Sequence, residues 1–183
     1  RVSAAGWWGL ERAEGASWRP DIVTFGKVIG GGMPLAGLGG RAEIMDQLAP
    51  LGPVYQAGTL SGNPLAVAAG IATLRLADDA VYEHVNHAAA VVASSLSEAL
   101  EDEGVEHVIS HAGSLFSLAF RSGSIATYDD ARDQESWRYP AFFHAMREQG
   151  ISLPPSVFEA WFLTAAHDDD AIERIVTALP AAA

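Results

Sequence analysis

The chain has no cysteine, which excludes a disulfide framework, a thiolate nucleophile and any metal site built on sulfur. It has a single lysine, Lys27, so ten of its eleven Lys and Arg residues are arginine. No apolar run reaches membrane-spanning length, and the opening RVSAAGWWGLERAEG, broken by charge and glycine, does not read as a secretion signal. Positive charge is scarce, 11 basic residues against 23 acidic ones. The net charge of −12 therefore argues against nucleic acid, whose phosphates need a basic surface. A soluble cytoplasmic protein is the expectation these absences leave.

What is present points to packed structure. At 183 residues and 49% hydrophobic content the chain can bury a core in one domain or two small ones. The charge is uneven: acids and bases balance up to residue 60, and all the net negative charge lies beyond it. A neutral, glycine-rich first part and an acidic, Ala-rich second part predict two units, 1–78 and 79–183.

Local patterns fill in the elements. DIVTFG (21–26) reads as a strand entering a turn at Lys27, PLAGLGG (34–40) as a second short strand, and RAEIMDQL as a short helix. Asn63 is a good N-cap and Pro64 suits the first helical position, so a helix is predicted from there to about Leu76. A second helix follows and stops at Gly104. Beyond it VEHVIS, SLFSLAF, ISLPP and FEAWFLTAA read as strands, and SIATYDDARDQES as a polar loop. WRYPAFFHAMREQG reads as an amphipathic helix and DDDAIERIVTAL as a closing helix with an acidic first turn. Mixed strands and helices make the second part an α+β unit.

Lys27 is the chemical focus. Arginine replaces lysine as a surface cation, but its guanidinium stays charged and cannot attack a carbonyl. Lys27 sits at the end of an apolar strand among seven glycines between Gly26 and Gly40. Such a place desolvates the amine and fits it to condense with an aldehyde. The glycines form neither a P-loop, since the lysine precedes them, nor a dinucleotide fingerprint. Gly58, Thr59 and Ser61 offer amide and hydroxyl donors just ahead of a helix N-terminus, a place that suits a phosphate or simply starts a helix. The six histidines show no convincing metal-ligand spacing with a carboxylate, so no metal is assigned.

Taken together, PDIVTFGKVIGGGMPLAGLGGRAEIM and GPVYQAGTLSGNPLAVAAG resemble the lysine region of the class III, fold-type I pyridoxal-phosphate aminotransferases. Within that family the Gly-Thr-Leu-Ser-Gly-Asn-Pro form is most similar to its aminomutases. The likeness continues through YDDARDQESWRYPAFFHAMREQGISLPPSVFEAWF and AAHDDDAIERI, so it covers nearly the whole chain. It implies an α/β fold: the C-terminal part of a fold-type I large domain in 1–78, followed by an α+β small domain in 79–183.

The resemblance also implies roles. Lys27 would hold pyridoxal 5'-phosphate covalently and move protons. Gly58 and Thr59 would bind the cofactor phosphate of the neighbouring subunit, making the enzyme a homodimer. Glu159 would stand close to cofactor and substrate. The implied substrate is glutamate 1-semialdehyde and the implied product 5-aminolevulinate. Arg1 corresponds to the end of a family stretch whose aspartate pairs with the pyridine nitrogen, so that aspartate would lie upstream. The segment before Asp21 is longer than usual for the family, and Trp161 replaces a common glycine, with core packing as its expected role. Two other readings stay open: an ω-aminotransferase or racemase using the same lysine, and a non-catalytic assembly module.

Overall fold

The computed structural model describes Val2, Ser3, Gly9, Gly15 and residues 17–183. Arg1 lies outside the described residues, as do 4–8, 10–14 and 16 of the long segment before Asp21. The described chain divides after Val81 into two units.

In the first unit, the β-branched run of β1 (Ile22–Phe25) pairs antiparallel with the glycine-rich β2 (Gly37–Gly40), Val23 opposite Gly39. Between them the chain makes a 3₁₀ turn, Lys27–Gly30, and left-handed residues at Gly31 and Gly32. The short helix α1 (Ala42–Met45) follows, then α2 (Pro64–Leu76), bounded as the sequence predicts. Asn63 Oδ1 accepts from the amides of Leu65 at 3.0 Å and Ala66 at 3.2 Å, and Pro64 occupies the first turn, where no N–H is missed.

The Lys27 turn rests on α2. A Cβ on Gly70 would meet the Leu35 side chain and the Ile29 carbonyl oxygen, and one on Gly31 would run into the Thr73 hydroxyl. These glycines therefore serve close packing of turn on helix. Gly26, Gly32, Gly37 and Gly39 have open space where a Cβ would stand. The unit has little core of its own. It holds fifteen of the nineteen exposed large hydrophobics among the described residues, including Ile22, Phe25, Leu65 and Leu74.

The second unit has a continuous core. The long helix α3 (Asp79–Asp102) buries Val85, Ala88, Ala89, Val92, Ala93, Leu96, Ala99 and Leu100, a stripe at the three-to-four residue spacing of one helix face. Its end is a left-handed Gly104, with the Val105 amide returning to the Leu100 carbonyl at 2.8 Å. Strands β3 (Val108–Ala112), β4 (Leu115–Ala119) and β5 (Trp161–Phe162) form an antiparallel sheet in that order. Phe116 lies opposite both His111 and Trp161. Helices α5 (Tyr139–Glu148) and α6 (Asp169–Ala178) add Tyr139, Phe142, Met146 and Ala178 to the same core.

Two expectations are corrected here. The polar segment read as a loop contains α4 (Tyr128–Arg132), closed by a capping box between Thr127 and Asp130. The Thr127 hydroxyl, then the Ala126 and Thr127 amides, hold the Asp130 carboxyl below the usual carboxylate range. ISLPP is not a strand, and FEAWFLTAA pairs only at Trp161 and Phe162. Pro154 and Pro155 have no N–H to give a ladder.

Candidate active site

Lys27 opens the 3₁₀ turn with φ 55, the only non-glycine with positive φ among the described residues. A left-handed backbone costs an L-residue about 1 kcal/mol and recurs at functional positions. Gly26 before it is extended, with φ −165. Among the described residues the lysine amine has no ion-pair or hydrogen-bond partner, and Lys27 is exposed. The burial expected around it is not found. Ile22 is 49% and Phe25 44% exposed, because β1 pairs with β2 alone and the ribbon is mostly uncovered.

Gly58 and Thr59 form an exposed turn ahead of α2. The Gly58 carbonyl accepts from the Ser61 amide at 2.9 Å, and Asn63 takes the first free amides of α2. The donors left over include the Gly58 and Thr59 amides and the Thr59 and Ser61 hydroxyls, so the turn itself offers anion-binding groups. Helix α2 links this turn with the Lys27 loop. Asn63 and Gly70 stand about 10 Å apart along its axis at the rise of an α-helix. The Lys27 amine can condense with an aldehyde, and the Gly58–Thr59 turn, separately, offers donors to a phosphate.

Glu159 belongs to the second unit, exposed in a turn where its amide donates to the Ser156 carbonyl at 3.1 Å. Trp161 packs as expected. It is 6% exposed, with its ring 5.4 Å from Phe116 and stacked at 6.3 Å on Phe142. Sequence reasoning missed Tyr139, taken only as core. Its hydroxyl donates to the Pro154 carbonyl at 2.6 Å, a contact between residues far apart in the chain that no local pattern announces. Burial first, then the Glu159 charge, push the phenol up to about 12.

The histidines are engaged structurally: a His84 ring nitrogen meets the His167 carbonyl at 2.8 Å, and His107 meets Ser97 at 2.7 Å. Among the described residues no group of three His, Asp or Glu could hold a metal ion. No helix among them is long and apolar enough to cross a membrane.

Known proteins share both sequence and fold. A glutamate-1-semialdehyde 2,1-aminomutase of Tropheryma whipplei (strain Twist) is 50% identical over 198 residues, covering 98% of this chain and 42% of that protein. The chain thus spans less than half the length of this curated relative. A β-phenylalanine aminotransferase of Variovorax paradoxus superposes with TM-score 0.77 at 28% identity, over 98% of this chain and 41% of that one. A glutamate-1-semialdehyde aminomutase of Pseudomonas aeruginosa, an alanine-for-lysine variant in complex with PMP, superposes with TM-score 0.83. At 20% identity, over 100% of this chain and 42% of that one, it speaks for the fold alone. The fold is that of the class III transaminases, of which this chain is an α/β part. The family model for aminotransferase class-III matches residues 2–179, and the chain belongs to that family.

Proposed function

We propose that this chain is the C-terminal part of a pyridoxal-phosphate-dependent glutamate-1-semialdehyde 2,1-aminomutase, forming 5-aminolevulinate for tetrapyrrole synthesis. Residues 1–78 are then the end of the cofactor-binding large domain and 79–183 the small domain. The observation that carries this reading is Lys27: the sole lysine, in left-handed backbone, with an amine that no described residue engages. The 50% identity with an aminomutase over 98% of this chain supports the aminomutase over an ω-aminotransferase or racemase.

The chain's own residues divide the work. Lys27 Nζ would hold the cofactor and move protons at the reacting carbons. The Gly58 and Thr59 donors take the phosphate of the neighbouring subunit's cofactor, which makes the working enzyme a cytoplasmic homodimer. Glu159 lines the substrate side. Bound pyridoxal phosphate supplies the electron sink for amino transfer. The exposed apolar residues of the first unit support a requirement for an upstream half, so the chain alone is inactive.

Borohydride trapping tests the reading. The chain, and separately the longest product of its gene, are incubated with pyridoxal phosphate, reduced, digested and analysed by mass spectrometry. Saturable labelling at Lys27 in the longer product alone is expected. No labelling in a folded longer product would remove the enzyme reading and leave an assembly module. Product formation without an external amino donor separates the aminomutase from an aminotransferase.

A further inference from the structure

We infer that Tyr139 is a positioning residue for Glu159: its phenol ties down the Pro154 end of a segment whose other end is locked into the sheet at Trp161, and so fixes the carboxylate between them. The inference rests on the reading above, in which Glu159 faces substrate. Pro154 and Pro155 lack amide donors, so this stretch cannot be zipped into the sheet, and the Pro154 carbonyl is the group available to tie it down. The Tyr139 hydroxyl donates to that carbonyl at 2.6 Å. At the other end Trp161 is paired with Phe116 and stacked on Phe142.

Between the ends the segment is tightened locally. Val157 is 6% exposed and inserts into the core. The Phe158 amide donates to Ser156 Oγ at 3.2 Å and the Glu159 amide to the Ser156 carbonyl at 3.1 Å. Glu159 thus emerges from a turn whose base is buried and whose two ends are held, one by the Tyr139 hydroxyl and the other by the seating of Trp161 in the sheet. The Glu159 charge helps to keep the phenol protonated, so the donor persists at every working pH. A functional side chain held this way is more precise than one on a free loop.

Tyr139→Phe removes the oxygen and keeps the ring. In the 183-residue chain, hydrogen exchange over 154–161 is expected to quicken about tenfold, the size of one lost buried hydrogen bond, with α3 unchanged. The quickening should be confined to the 154–161 peptides. Unchanged exchange there, or an equal rise in α3, overturns the inference. In the longest gene product, Tyr139→Phe should raise substrate KM about tenfold. Added to Glu159→Gln it should cost nothing more, because both act through one carboxylate. Multiplying losses would show a merely structural tyrosine and overturn it. Should Glu159→Gln leave activity intact while the local exchange quickens, the clamp stands and the substrate-side role of Glu159 fails.

Discussion

Gly31 and Thr73 share a space too small for a methyl group: a Cβ on Gly31 would run into the Thr73 hydroxyl. That hydroxyl is itself held, donating to the Ala69 carbonyl at 2.9 Å, so it cannot swing away freely. Gly31 also needs its φ of 56. Gly31→Ala should therefore destabilise the longest gene product by about 2 kcal/mol, from left-handed strain and the clash together. Thr73→Ala in the same background should return the steric share only. A double-mutant cycle on urea unfolding measures it, and strict additivity would mean the two residues do not touch.

Asn63 offers a smaller test of the turn ahead of α2. Asn63→Ala leaves the Leu65 and Ala66 amides without their acceptor and should cost about 1 kcal/mol. Amide exchange at Leu65 and Ala66 should quicken before that of the helix middle. If those two amides keep their protection, Asn63 is not the cap.

How much of this was legible depends on whether the cause is local. Asn63, Pro64 and the Ala- and Leu-rich run after them placed α2 from Pro64 to about Leu76, because capping and helix formation act within a turn or two. The same logic was written at Thr127 and Asp130, a Thr-x-x-Asp box that the surrounding polarity disguised as loop. Reading ISLPP as a strand fails although the cause is local, since Pro154 and Pro155 have no N–H to give a ladder; only the Tyr139 contact with the Pro154 carbonyl is tertiary. At the site, residue type and the place between an apolar strand and a glycine cluster single out Lys27, whereas its left-handed backbone and its exposure were not legible there. Composition cannot tell which apolar surface is covered by neighbours.

Stability should fall at high pH because of Tyr139. Its phenol titrates near 12 in the folded chain against 10.0 for an ordinary tyrosine. The folded state therefore keeps a proton that the unfolded chain gives up first. The stabilisation is complete below pH 10 and drains away as pH rises toward 12. Thermal melts from pH 9 to 12 should show this decline, and Tyr139→Phe should flatten its part of it. An unflattened profile would place the tyrosine in a less buried, less charged setting.

Lys27 pits conformation against chemistry. Its φ of 55 suits glycine better than any L-residue, and the lysine amine gains nothing from described neighbours that would offset the strain. Two truncations separate the terms. Lys27→Ala removes the amine and keeps a Cβ, while Lys27→Gly removes both. In the longest gene product without cofactor, the glycine variant should be more stable than the alanine variant by about 1 kcal/mol. Both should lose the pyridoxyl label completely. Equal stability of the two would mean that the backbone relaxes once the lysine is gone. A lysine kept where glycine is the more stable residue is one retained for its amine, so this pair of measurements weighs the strain directly against the function it accompanies.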